Sequence, residues 1–286
     1  MNKAVLAVLV AFLAVGPATA AELGGTLKKI KDSGSIVIGH RAESRPFSFV
    51  DGDGKPAGYT IDLCRRVVEE VKRTLGVADL KVEYVGLDAA ERIPAVTGGK
   101  VDIECGNSTI TLSRMEDVDF SNMIFITGAS LLIKVGSGIN GVGDLDGKTV
   151  GVTVGTTTEK ALEAKLKQVL VDAKVVKVKD HQEGIDMLEA GALDAYAGDQ
   201  IVLIGLGRNV ADPAKLALAP ELFTYEPYGL MVRRDDADFR LVVNRALAQL
   251  YRTGEIGQIY KKWFGDWGGR PSRLLLAMYA LNALPE

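Results

Sequence analysis

The pattern that most restricts this chain is a repeated exchange between two hydrophobic periods. Short apolar runs of strand length alternate with longer stretches in which apolar residues recur every three or four positions. Residues 35–39 (SIVIG) read as a buried strand, and residues 59–75 read as an amphipathic helix with Leu63, Val67 and Val71 on one face. Strands are expected at 80–84 and 101–105, with a helix around 90–96 between them. The exchange resumes at 148–152 and runs through strands at 175–178 and 193–197, with helices between and after them. Strands alternating with helices predict parallel sheets. Two longer extended segments stand out: 123–135, broken by Gly128, and 226–233. They predict two crossings between two lobes. The expected class is α/β and two-lobed, each lobe a mixed sheet flanked by helices, joined by two hinge strands. Lobe 1 is expected over 21–127 and 228–286, with lobe 2 inserted at 128–227.

Helix boundaries are signalled by capping chemistry. Thr156 with Glu159, Asp180 with Glu183, and Ser113 with Glu116 have capping-box spacing, so a helix is expected to start at each. The last would put Arg114 in a first turn. Asp51-Gly52-Asp53-Gly54 reads as a hairpin turn; a calcium loop would need a different spacing and a terminal bidentate Glu.

The first twenty residues are read as a cleaved signal peptide: Lys3, an apolar run over 4–15, and Ala18-Thr19-Ala20 as the processing site, with cleavage after Ala20. The run is shorter than the about 20 residues a membrane span needs. A periplasmic, exported protein is expected. Its formal charge of −3 indicates neither a nucleic-acid binder nor a polybasic membrane binder. Cys64 and Cys105 both fall on expected apolar faces. Export permits a disulfide between them, and two buried thiols are the alternative. Neither has a His or second Cys in metal-ligand spacing, so no metal site and no cofactor are expected.

In open α/β sheets ligands sit beyond the carboxyl ends of the strands. Arg41, Asn107, Thr109, Thr157 and Asp199 all fall at such positions. Arg114, beside several hydroxyl residues, suggests a carboxylate or phosphate held by a bidentate guanidinium. Thr157 opens a helix, where free N–H groups favour an anion.

Several stretches together resemble a known family: PFSFVDGDGKPAGYTIDL at 46–63, RIPAVTGGKVDIECGNSTITLSR at 92–114, DFS at 119–121, DLDGKTVGVTVGTTTEKAL at 144–162 and LEAGALDAYAGD at 188–199, with WF at 263–264. In this order they resemble the periplasmic family 3 solute-binding proteins of ABC transporters that carry polar amino acids, over nearly the whole mature chain. The resemblance implies the type II periplasmic binding protein fold: a clamp closing on a free amino acid and delivering it to a membrane permease, as a monomer and without catalysis. It implies Arg114, Thr109 and Thr157 on the ligand α-carboxylate, and Asp199 with Asn107 on the α-ammonium. The segments GHR at 39–41, RIP at 92–94, ECG at 104–106 and KDH at 179–181 are similar to the glutamate/aspartate-binding branch, which implies Arg41, Arg92 and His181 as contacts for an acidic side chain. Ala89 departs from that branch, which often carries a hydroxyl three residues before the pocket arginine. The choice among glutamate, aspartate and a neutral relative such as glutamine therefore stays open. A dehydratase or lyase on the same fold is a second class, with His181 and Glu104 as its candidate acid or base. A receptor's sensor portion is a third.

Overall fold

The computed structural model describes residues 23–267 and 270–286. The expected signal peptide and its cleavage point lie outside the described residues. Two five-stranded sheets carry the architecture. In the first, Ser35–His40 lies parallel between Lys81–Gly86 and Ile103–Glu104, and Met231–Arg233 joins Ile103–Glu104 antiparallel before Val118–Phe120 closes the edge. In the second, Thr149–Thr153 lies parallel between Lys174–Val178 and Ala195–Asp199, with Ala129–Lys134 antiparallel beyond. Each sheet is therefore mixed, as the sequence predicts.

The two crossings are Phe125–Thr127 and Glu226–Tyr228, which pair antiparallel with Thr127 opposite Glu226. The break at Gly128 is real: the chain leaves one short strand and enters Ala129–Lys134 of the second sheet. A side chain at Gly128 would collide with the Thr224 carbonyl, 2.5 Å from an added Cβ. The crossing strands rest on an aromatic cluster in which Phe47 packs edge-on against Tyr59, Phe125 and Tyr228. Phe264 stacks on Phe125 in the same cluster. The Tyr59 hydroxyl donates to the Ile124 carbonyl, which ties the long helix Tyr59–Leu75 to the start of the crossing.

Two capping predictions match the geometry. The Thr156 hydroxyl accepts from Glu159 N–H, and the Asp180 carboxylate from Glu183 N–H. The third does not. Ser113 caps no helix, and only a single 3₁₀ turn, Arg114–Glu116, forms. The Thr111 hydroxyl accepts from Arg114 N–H instead, and the chain leaves directly into the edge strand Val118–Phe120. Too few residues remain before that strand for an α-helix to propagate. The hairpin around residues 51–54 forms between Ser48–Val50 and Pro56–Ala57. Cys64 and Cys105 are joined as a disulfide, which pins the Tyr59–Leu75 helix to the end of the Ile103–Glu104 strand. The C-terminal helix Arg273–Leu281 packs back on the first lobe, where Tyr279 hydrogen-bonds Tyr59 and stacks on Tyr251.

Candidate functional site

All eight residues singled out from the sequence line one narrow cleft between the sheets: Arg41, Arg92, Asn107, Thr109, Arg114, Thr157, His181 and Asp199. The topology explains the convergence. Arg41 follows the strand Ser35–His40, and Asn107 and Thr109 follow Ile103–Glu104, all at carboxyl ends in the first sheet. Asp199 ends its strand in the second sheet, and His181 and Thr157 open the helices that follow two others. The lobes meet tightly at the rim. Gly155 lies against Ala90, so that an added Cβ would sit 2.8 Å from the Ala90 Cα. Arg114 also reaches the Gly155 carbonyl, and Lys179 pairs with Asp88.

Arg41 is 2% exposed, which removes it from the ordinary surface arginines. Its Nη2 donates to Glu43 at 3.2 Å, while Nε and Nη1 are buried without a hydrogen-bond partner. A buried guanidinium with free N–H groups is costly unless an acceptor reaches them. Arg92 is held in place on two sides. Its Nε donates to the Ala89 carbonyl, and its Nη1 to the Ser108 hydroxyl, which in turn donates to Glu104. Burial, followed by repulsion from Arg114, lowers its guanidinium to about 9. Arg114 is shifted the same way by burial, against the pull of Glu226, Glu104 and Asp199. Two buried guanidiniums and the half-buried Arg114 gather positive charge on one wall of the cleft.

His181 opens its helix at the cleft. It stands beside the arginines, but burial, and after it the charges of Arg41 and Arg92, hold its imidazole down at about 3. It is neutral at pH 7 and brings no positive charge. Its Nδ1 lies 2.7 Å from the Tyr196 hydroxyl and 3.3 Å from that of Thr153. With Tyr196 donating to Nδ1, the ring proton sits on Nε2, and the residue offers one N–H donor.

The opposite end of the cleft carries acids. Asp199 accepts from the Thr158 hydroxyl at 3.1 Å and from the Tyr228 hydroxyl. Burial first, then the nearby Glu226, push its carboxyl up to about 6. Glu226, on the return crossing, is a functional neighbour that the sequence reading missed. It accepts from Thr109 at 2.5 Å and from Thr157 at 2.7 Å. The hydroxyls of both threonines are thus directed at a carboxylate of the protein itself. Ser108 and Tyr228 were missed as well. The only local hint was the alternation of Glu226 and Tyr228, which puts both on one face of a strand.

Two α/β lobes hinged by paired crossings, with a charged cleft at the carboxyl ends of both sheets, define a ligand-capturing clamp protein. The chain belongs to the bacterial extracellular solute-binding proteins, family 3, whose model matches residues 36–266. It is 42% identical to the L-glutamate/L-aspartate-binding protein of Pseudomonas aeruginosa, over 90% of this chain and 85% of that one. It is 34% identical to the glutamate/aspartate import solute-binding protein of Escherichia coli, over 92% and 89% respectively. Among solved structures, a solute receptor for L-cysteine from Neisseria gonorrhoeae superposes with a TM-score of 0.77 at 27% identity, covering 86% of this chain and 98% of that one. Among the described residues, no helix is long and apolar enough to cross a membrane.

Proposed function

We propose that this protein captures an acidic L-amino acid, glutamate or aspartate, between its lobes and hands it to the permease of an ABC transporter. The observation that carries the reading is Arg41: a buried guanidinium with two unpartnered nitrogens, on a cleft also lined by Arg92 and Arg114. A carboxylate on the ligand side chain satisfies those donors; an amide gives a weaker neutral contact, and a cationic side chain is repelled. The glutamate/aspartate-binding relatives support the same assignment. Those relatives are named for binding and import, and the chain is read as a binding protein, not an enzyme.

In this reading Arg114, with the first-turn N–H groups at Thr157, takes the ligand α-carboxylate, and Asp199 with Asn107 takes the α-ammonium. Arg41, Arg92 and the His181 N–H hold the side-chain carboxylate. Thr109 helps by orienting the α-carboxylate end. The lobe boundaries at 127/128 and 227/228 are supported by the break at Gly128 and by the pairing of Thr127 with Glu226. A monomer, exported with cleavage after Ala20, completes the proposal. Because ligand contacts come from both lobes, binding favours the closed form by differential affinity.

A thermal-shift panel of the twenty amino acids on the mature chain tests it. A ligand that binds only the folded protein raises the melting temperature. Glutamate and aspartate are expected to give the largest shifts. A larger shift with glutamine or with a basic amino acid contradicts the side-chain assignment.

A further inference from the structure

The arginine wall explains why a dicarboxylate enters, but it does not explain what turns away a dicarboxylate lacking an amino group. The other end of the cleft does. Glu226 is 2% exposed and Asp199 9% exposed, and Tyr228, on the same short strand as Glu226, donates its hydroxyl to Asp199. Their hydrogen bonds come from neutral hydroxyls alone: Thr109 and Thr157 to Glu226, Thr158 and Tyr228 to Asp199. Among the described residues neither forms an ion pair. The nearby Arg114 spends its Nη1 and Nη2 on the carbonyls of Thr109 and Gly155. Two buried carboxylates without a cation in contact are unfavourable. Burial first, and the nearby Glu226 after it, raise the proton affinity of Asp199. In the same cleft Arg41 likewise has two buried nitrogens with no hydrogen-bond partner in the protein.

We infer that Glu226 is a specificity-determining residue, which with Asp199 makes a cationic α-amino group a requirement for binding. It rests on the proposed amino-acid clamp and adds a residue to it. An α-ammonium placed between the two carboxylates neutralises both and has three N–H groups to share. A dicarboxylate of the same length with no amino group leaves them facing each other and adds two further negative charges. Glu226 stands on the crossing strand behind two cleft-lining threonines, one from each lobe, whose hydroxyls donate to it.

Glu226→Gln tests this. The amide oxygen still accepts from Thr109 and Thr157, so the hydrogen bonds persist while the charge is lost. Affinities of the wild type and the variant are measured by calorimetry for L-glutamate and for glutarate, the same dicarboxylate without its amino group. The variant is expected to weaken L-glutamate by about tenfold or more and to strengthen glutarate, so the preference between them narrows by about a hundredfold. Equal changes for both ligands would assign Glu226 a purely structural role and overturn the inference. Glu226→Asp keeps the charge on a shorter stem and is expected to retain most of the preference. If it loses the preference as fully as Glu226→Gln does, or if Glu226→Gln does not fold and Glu226→Asp loses the preference, charge is not the cause and the inference fails. Should the wild type bind neither glutamate nor aspartate, the acidic-ligand reading is wrong. The same comparison is then made with the amino acid it does bind and that acid's deaminated analogue, and it decides the role of Glu226 in the same way.

Discussion

Removing the charge of Asp199 should stabilise the ligand-free protein while disabling it. Burial and the neighbouring Glu226 raise the Asp199 carboxyl from 3.8 to about 6. A carboxyl whose proton affinity is higher folded than unfolded contributes stability that is fully present below pH 4 and is lost as pH rises through about 6. Each tenfold change in proton affinity is worth about 1.4 kcal/mol, so the loss is on the order of 3 kcal/mol by pH 8. Thr158, Tyr228 and Arg92 oppose the rise and are outweighed. His181 acts in the other direction. Its folded imidazole is held at about 3, so its contribution is present above pH 6.5 and lost as pH falls. The pH profile of the wild type alone therefore mixes opposing effects, and Asp199→Asn isolates one of them. Urea unfolding of ligand-free wild type and variant at pH 4.5 and pH 8 reads the difference. The variant should gain roughly 2–3 kcal/mol relative to the wild type between those values, and its melting temperature should no longer respond to ligand. Parallel pH profiles for the two proteins would refute the claim that Asp199 is held ionised at a cost.

Three further outcomes follow from the same geometry. Arg114→Ala should abolish binding of every amino acid in the calorimeter, because the α-carboxylate is common to all; retained binding of any one contradicts its role. Arg41→Ala and Arg92→Ala should weaken acidic ligands by about tenfold to a hundredfold while leaving neutral analogues nearly unchanged, and an equal loss for both classes would show a structural defect instead. Reducing the Cys64–Cys105 disulfide, which closes a separation of 41 residues, should lower unfolding stability by roughly 3–4 kcal/mol in urea. An unchanged midpoint under reductant would mean that the unfolded chain gains no freedom from its loss.

Much of this molecule could be read from its sequence because the informative signals are local. The 59–75 helix has a stripe of Leu63, Val67 and Val71, and it forms over those residues. Gly128 sits where the backbone passes too close to Thr224 for a side chain, and the chain breaks there. Residues at the carboxyl ends of strands converge whatever their partners, which brought Arg41, Asn107, Thr109, Thr157 and Asp199 together; Arg114 stood out by its hydroxyl neighbours, and Arg92 and His181 by the family resemblance. What could not be read depends on contacts between distant segments. Glu226 lies 117 and 69 positions from the threonines it binds, and its alternation with Tyr228 on one strand face does not by itself signal a binding role. Ser113 has the spacing of a helix cap, but pairing of Val118–Phe120 with Met231–Arg233 claims the chain first. The charge state of His181 is likewise a property of its surroundings: its burial and the two arginines decide it, and no sequence spacing encodes that.

The most direct measurement is a calorimetric titration of the mature protein at pH 7 with L-glutamate, L-aspartate, L-glutamine and L-arginine in turn. Saturable heats with dissociation constants in the micromolar range or below are expected for glutamate or aspartate, with glutamine weaker and arginine without effect. Tight binding of arginine or glutamine, with no heat from either acid, would contradict the assignment of Arg41, Arg92 and His181 to an acidic side chain.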